Sequence, residues 1–200
     1  MSDMNLEISD NIKGLIFDLD GTLIHSMPLH YEAWREVFDE IGFDFNREIF
    51  FKTAGMPTEK IFDLIKSEFN LDFDVERLTT QKEAAYVKRM DELKVIDEVA
   101  ELVYQNYGKR AMSVGTGSQR TNAQNSLNSV GLDKYFTILV AKDDVQQHKP
   151  HPETFLKCAE LMDVDPKNCH VFEDGDLGIQ AARSCGMHVT DIRKHLNQTI

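Results

Sequence analysis

The chain has 200 residues, with 34 acidic and 22 basic side chains, so its formal net charge is −12. This balance excludes a general nucleic-acid binder, which needs a basic face to neutralise phosphates, and it disfavours attraction to anionic membranes. No apolar run reaches the roughly 18 residues of a membrane span, and residues 1–7 lack the basic-then-apolar pattern of a signal peptide. The three cysteines are scattered, as is typical of reduced thiols. We therefore expect a cytoplasmic protein, with no nucleic acid, no membrane and no evident obligate protein partner.

Five short apolar runs are typical of strands that are covered on both faces. They span residues 14–19, 111–116, 137–141, 169–173 and 187–191. Helical patterns separate the later runs, over residues 123–130, 152–161 and 177–182. Strand–helix alternation of this kind predicts an α/β fold, a parallel sheet flanked by helices with right-handed crossovers. From residue 93 onward the chain is predicted to form a Rossmann-like core.

Residues 25–92 have a different pattern, without a strand signal. Pro28 opens an amphipathic helix that Gly42 closes, and further helices are expected near residues 58–69 and 75–90. The segment holds 8 of the 12 phenylalanines and the only tryptophan, which a small helical unit needs for a core of its own. We predict an all-helical domain of residues 25–92, inserted into a Rossmann-like domain formed by residues 10–24 and 93–200.

The first candidate for chemistry is the segment Asp18-Leu19-Asp20-Gly21-Thr22-Leu23. Asp-x-Asp triplets occur four times in this acidic chain, so the triplet alone is not specific. Its position is specific, because it follows a buried strand, and the carboxyl ends of strands are where ligands bind in open α/β sheets. Two carboxylates held on one side of the chain repel unless a cation bridges them or one of them is protonated.

Three later segments end predicted strands or lie beside them. Gly115-Thr116-Gly117-Ser118 precedes a helix, where a hydroxyl and free backbone amides can hold an anion, although this is also ordinary turn chemistry. Lys149 belongs to the segment His148-Lys149-Pro150-His151-Pro152. Its side chain either points inward as a positive charge or is exposed to solvent. Glu173-Asp174 either caps a helix or completes an oxygen-rich Mg²⁺ site.

Taken together, the four segments resemble the haloacid dehalogenase (HAD) superfamily of aspartate-nucleophile phosphotransferases, over essentially the whole chain. The resemblance implies that Asp18 is the nucleophile and Asp20 its acid/base partner. It further implies that Thr116 is the second-motif hydroxyl and Lys149 the third-motif lysine. A Mg²⁺ cofactor would be held by Asp18, the backbone carbonyl of Asp20 and Asp174, with Glu173 as a further candidate ligand.

Within the superfamily, Pro28-Leu29-His30-Tyr31-Glu32-Ala33-Trp34 is similar to the beta-phosphoglucomutase-like branch, whose small helical cap the insert resembles. Val114–Ser118, His148–Pro150 and Phe172–Asp174 look like bacterial sugar-phosphate phosphatases such as fructose-1-phosphatase. This resemblance implies a phosphatase that hydrolyses a small phosphorylated substrate through a phosphoaspartate. The substrate contacts that it implies are Gly117, Ser118, His30, Gly55 and Lys82.

Two other functions are weighed against this one. The branch's sugar phosphomutases hold a second phosphate with a cap arginine, and here Thr58 stands at that position, while Lys60 is displaced from it. Lys82 and Tyr86 match the cap's Lys-x-x-x-Tyr pattern, but both are also compatible with a plain helix surface. A non-enzymatic phospho-switch of the receiver type is disfavoured, because receivers carry adjacent acids and no helical insert after the first strand.

Overall fold

The structure, a computed structural model, describes residues 8–196 and contains one five-stranded sheet. Its strands are β1 (Gly14–Phe17), β2 (Ala111–Gly115), β3 (Leu139–Val140), β4 (Cys169–Glu173) and β5 (His188–Asp191). They run parallel in the order β3-β2-β1-β4-β5. The prediction of a Rossmann-like parallel α/β fold is confirmed. Two predictions concern residues outside the described range. They are the absence of a signal-peptide pattern in residues 1–7 and the assignment of residues 197–200 to the core domain.

Eight α-helices connect or flank the strands within the described residues. They are α1 (Met27–Glu40), α2 (Arg47–Thr53), α3 (Thr58–Glu68), α4 (Val75–Val87), α5 (Asp97–Asn106), α6 (Arg120–Ser129), α7 (Glu153–Met162) and α8 (Asp176–Ser184). The helix predicted over residues 75–90 ends earlier, at Val87, and a short 3-10 turn, Met90–Glu92, follows it. In the described part of the chain, none of the helices has both the length and the apolarity that a membrane crossing requires.

Strand β1 lies at the centre of the sheet, and its side chains are fully buried on both faces. Leu15 and Phe17 belong to one apolar cluster, and Ile16 belongs to the cluster on the opposite face. This explains the continuous apolar run, because successive side chains of a strand point to opposite faces. From β1 the sheet extends through β2 to β3 on one side and through β4 to β5 on the other. Such a reversal of strand order opens a crevice at the carboxyl edge.

The helical segment between β1 and β2 contains an apolar cluster of its own, drawn from residues between Met27 and Leu78. Aromatic rings form its centre: the Trp34 and Phe62 ring centroids lie 4.8 Å apart, as do those of Phe38 and Phe45. The concentration of aromatic residues therefore builds a core, as the sequence indicates. The end of α4 belongs elsewhere, because Ala85 and Tyr86 pack with the cluster that contains Phe17. The exact domain boundaries stay a prediction.

Candidate active site

A pocket lies between the carboxyl edge of the sheet and the helical segment. The lining includes almost all of the predicted site residues: Asp18, Asp20, His30, Gly55, Lys82, Thr116, Gly117, Ser118, Glu173 and Asp174. The strand register explains how residues so distant in sequence meet. Phe17 pairs with Val114 on one side and with Phe172 on the other, so the residues that follow these three positions share one edge.

Three carboxylates converge at this edge. Asp18, Glu173 and Asp174 each place an oxygen within 4.8 Å of the others, and the first two are only 6% and 3% exposed. Burial, and then the charge of Glu173, raise the pKa of Asp18 to about 7. Burial, Glu173 and Asp18 likewise raise the pKa of Asp174 well above its ordinary value. A buried oxygen cluster that resists ionisation in this way fits a hard divalent cation such as Mg²⁺.

Lys149 is the buried cation of this cluster. Its Nζ donates to Asp18 Oδ1 at 2.6 Å and to Glu173 Oε2 at 2.7 Å, and the residue is 5% exposed. Burial alone would lower the pKa of Lys149, but the Asp18 and Glu173 carboxylates outweigh burial and hold it above its usual range. Of the two alternatives that the sequence left open for this residue, the exposed lysine is therefore wrong.

Glu173 is held by three hydrogen bonds, each to a different donor. Its Oε1 accepts from the backbone amides of Asp174 and Gly175, at 3.1 and 2.8 Å, and its Oε2 accepts from Lys149. A Cβ on Gly178 of α8 would lie 1.9 Å from Oε2, so a larger residue there would displace the Glu173 side chain. Glu173 thus contacts backbone amides at the start of α8 and positions Lys149. Its role as a metal ligand stays a prediction.

Asp20 faces the helical segment and accepts several hydrogen bonds. Ser118 and Ser26 donate to its carboxylate at 2.6 and 2.7 Å, and His30 Nε2 lies 3.2 Å from Oδ1. Burial opposes ionisation of Asp20, but the charge and hydrogen bond of His30 and the two serines outweigh it, so the pKa lies below its ordinary value. In this arrangement Asp20 is ionised, and an ionised carboxylate can accept a proton as a base.

The loop after β2 contacts Asp20 and the helical segment. Thr116 Oγ accepts from the Ser118 amide at 3.0 Å, whereas the Ser118 hydroxyl is engaged with Asp20. Gly117 approaches the other side of the pocket so closely that a Cβ would lie 2.9 Å from the Gly55 carbonyl oxygen. Thr116 and Gly117 thus line the pocket at a contact between the sheet edge and the loop before α3. Their predicted contacts to substrate stay predictions.

His30 connects Asp20 to the cap residues that the sequence singled out. Its Nδ1 lies 3.2 Å from Lys82 Nζ, and its ring stacks on Tyr86 with centroids 3.8 Å apart. Lys82 and Tyr86 are 3% and 1% exposed, so the alternative of plain helix-surface residues is wrong. Lys60 is exposed and is not part of the described pocket lining.

Three further residues at this site could not be predicted from the sequence: Ser26, Glu83 and Lys142. Ser26 donates to Asp20, Lys142 is paired with Glu59, and Glu83 lines the pocket and accepts a hydrogen bond from Thr58. No motif marks them. The one available signal is that Ser26 and Glu83 stand close in sequence to residues that were identified.

Comparison with known proteins defines the class. The sequence model of the haloacid dehalogenase-like hydrolases matches residues 15–192, and the chain belongs to this family. It is 42% identical to the fructose-1-phosphate phosphatase YqaB of Escherichia coli, over 90% of this chain and 96% of that protein. It is 25% identical to the beta-phosphoglucomutase of Bacillus subtilis, over 90% and 83% of the two chains.

A solved structure gives the same result. The beta-phosphoglucomutase of Clostridium difficile superimposes with a TM-score of 0.80 at 28% identity, over 89% of this chain and 83% of that one. The expected family and its Rossmann-like fold are confirmed. The expected enzyme class, a phosphoric monoester hydrolase, is confirmed by the family and by relatives that are named phosphatases.

Proposed function

We propose that the protein is a Mg²⁺-dependent phosphatase that hydrolyses a small sugar or polyol phosphate, similar to fructose 1-phosphate, through a phosphoaspartate on Asp18. The observation that carries the proposal is the contact of Asp18 with Lys149, beside Glu173 and Asp174 at the sheet edge. The identity of 42% to a fructose-1-phosphate phosphatase supports the substrate class.

In the first step, a carboxylate oxygen of Asp18 attacks phosphorus, and the bond from phosphorus to the sugar oxygen breaks. Asp20 gives a proton to the departing oxygen. Because the surrounding donors hold Asp20 as a carboxylate, it must first take up a proton, which solvent or the monoanion of the substrate phosphate supplies, while His30 Nε2, 3.2 Å away, positions the Asp20 carboxylate. In the second step, Asp20 as base removes a proton from water, whose oxygen attacks phosphorus and frees Asp18.

Asp18, Asp174 and the backbone carbonyl of Asp20 are the proposed ligands of Mg²⁺, with Glu173 as the further candidate. When bound, the ion neutralises phosphoryl oxygens that would otherwise repel the nucleophile. Lys149 contributes a fixed positive charge at the same place, because both of its carboxylate partners hold it ionised. The Thr116 hydroxyl and the Gly117 amide are proposed to bind the phosphoryl oxygens, and the Ser118 amide must release Thr116 Oγ to join them.

The test is turnover by an Asp18→Asn variant. We expect it to release no phosphate from an aryl phosphate or from fructose 1-phosphate, because an amide oxygen is a poor nucleophile. Asp63→Asn makes the same change at an exposed position of α3 and should leave turnover unchanged. EDTA should abolish wild-type turnover, and Mg²⁺ should restore it. Mg²⁺-dependent phosphate release by Asp18→Asn would contradict the mechanism.

The sugar phosphomutase stays the alternative, since relatives with that name match the chain. Against it, Thr58 stands at the position of the mutase's phosphate-binding arginine, and its hydroxyl is bonded to Glu83. A hydroxyl lacks the bidentate cationic grip that a second phosphate needs. Conversion of glucose 1-phosphate to glucose 6-phosphate, without release of free phosphate, would favour the mutase.

A further inference from the structure

The end of the pocket formed by the helical segment contains a carboxylate that no motif explains. Glu83, on α4, lines the pocket, and its side chain is 16% exposed. Its Oε1 accepts from Thr58 Oγ at 2.5 Å and from Lys82 Nζ at 3.1 Å. Its Oε2 accepts from Asn122 Nδ2 at 2.6 Å, across the contact with α6. Both oxygens are therefore fixed in position.

Glu83 also determines what charge a substrate meets at this end. In the described lining, Lys82 and Lys142 are the only lysines, and there is no arginine. Lys82 is paired with Glu83, while Lys142 is paired with Glu59 at 2.7 and 2.8 Å. Because each ammonium already has a carboxylate partner, a second phosphate would have to displace that carboxylate to bind at this end.

Glu83 is held in the charged form. Burial opposes its ionisation, but the neighbouring Lys82 and the hydrogen bond from Thr58 outweigh burial and place the pKa of Glu83 below its ordinary value. An ionised carboxylate has about four acceptor sites and no donor. The three bonds described above leave acceptor capacity for a hydroxyl, whereas a phosphate brings only like charge and further acceptors.

We propose that Glu83 is a specificity-determining residue, which accepts a hydroxyl of a polyhydroxy monophosphate and rejects substrates with a second phosphate at that end. The inference rests on the proposed phosphatase function and narrows its substrate class. The proposal also explains the distribution of charge in the pocket. The sheet edge is proposed to bind one phosphate, whereas each lysine described at the helical-segment end is paired with a carboxylate.

The experiment compares kcat/KM for fructose 1,6-bisphosphate with kcat/KM for fructose 1-phosphate, and uses the ratio to cancel any change in the chemical step. Glu83→Gln should raise this ratio about tenfold or more, because it removes a like charge and frees Lys82. Glu83→Asp keeps the charge and should keep the low ratio. Glu76→Gln, an exposed change of the same kind on α4, should not alter the ratio.

An unchanged ratio in Glu83→Gln would overturn the inference. So would an equal rise in Glu83→Asp, because the shape of the pocket and not its charge would then set the preference. The wild-type protein also tests the inference, without any variant that has to fold. A higher kcat/KM for fructose 1,6-bisphosphate than for fructose 1-phosphate would overturn the inference. Failure of the wild type to hydrolyse any sugar monophosphate with Mg²⁺ would instead contradict the proposed function.

Discussion

Replacement of Lys149 by methionine tests the centre of the site, because it removes the ammonium and keeps an unbranched apolar stem. The lost contacts are those to Asp18 and Glu173, at 2.6 and 2.7 Å. The stem can still pack near Phe155, whose ring centroid lies 4.7 Å from Nζ. The variant therefore leaves the buried carboxylates facing one another without their cation.

Removal of one partner from a buried ion pair costs about 3–5 kcal/mol, because the remaining charge is uncompensated. Whole domains have free energies of unfolding of only about 5–15 kcal/mol. We therefore expect Lys149→Met to lose about 3 kcal/mol of stability in EDTA, the low end of the range, since the carboxylates can take up protons. Turnover should be lost as well, because Asp18 loses its positive neighbour.

Mg²⁺ should reverse part of this loss. A ligand that binds only the folded state adds about 2.7 kcal/mol at a hundredfold excess over its Kd. Removal of the neighbouring positive charge should tighten cation binding, so Mg²⁺ should stabilise the variant more than the wild type. The assay is urea unfolding in EDTA and in excess MgCl₂, with Lys88→Met, at an exposed position after α4, as the matched control.

Two results would refute this reasoning. If Lys149→Met were as stable as the wild type in EDTA, the two buried ion pairs of Lys149 would contribute nothing to the fold. If Mg²⁺ stabilised both proteins equally, the cation would not bind beside Asp18, Glu173 and Asp174.

Two further predictions concern the pocket contact and the sheet. Gly117→Ala places a Cβ 2.9 Å from the Gly55 carbonyl oxygen, so the loops must separate. We expect kcat/KM for sugar phosphates to fall about tenfold to a hundredfold, since small displacements disturb alignment, and unchanged kcat/KM in Gly117→Ala would contradict the contact. Burial and the neighbouring His188 lower the pKa of His170 from 6.5 to about 4. Between these values the unfolded chain binds a proton that the folded chain does not, so stability falls as pH falls, by up to about 2 kcal/mol from pH 7 to pH 5. Urea unfolding of His170→Phe should show a smaller loss over that range, whereas His195→Phe, at an exposed position, should match the wild type; an unchanged loss in His170→Phe would contradict the assignment.

The sheet could be predicted because its central strands are buried on both faces. Leu15, Ile16 and Phe17 are fully buried, and this makes the apolar run in the sequence continuous. The predicted end of the run was less accurate, since β1 stops at Phe17 and not at residue 19. The backbone still continues the sheet for one residue, because the Asp18 amide donates to the Phe172 carbonyl at 3.0 Å.

Helix α2 was not predicted because tertiary contacts supply much of what defines it. It has seven residues, too few for a clear periodic pattern. Its N-terminus is capped by Asn46, whose side chain accepts from the Ile49 amide at 3.0 Å, and Phe50 joins the aromatic cluster. The cap is visible in the sequence, whereas the packing of Phe50 against residues elsewhere in the segment is not.

The candidate site also contains residues that the sequence predicts and residues that it does not. The motifs marked Asp18, Thr116, Lys149 and Asp174, because these residues follow strands or lie in the loops beside them. Glu83 carries no such mark, since two of its three hydrogen-bond donors, Thr58 and Asn122, lie 25 and 39 positions away in the chain. The orientation of Lys149 does not follow from the sequence for the same reason, because its partner Asp18 lies 131 positions away. Contacts at such separations are set by the fold.

The net charge of −12 makes the binding of a phosphate a question of local charge. The carboxylates of Asp18, Glu173 and Asp174 and the ammonium of Lys149 sum to a balance of −2 when ionised, and the neighbouring Asp20 carboxylate adds a further negative charge. Without a cation the cluster reduces that balance by holding protons, as the raised pKa values of Asp18 and Asp174 indicate. A protonated Asp18 is a poor nucleophile. A divalent cation offsets the balance of −2 and favours the ionised form of Asp18. The same ion that admits the anionic substrate would therefore also activate the carboxylate, which is the physical reason to expect a strict magnesium requirement.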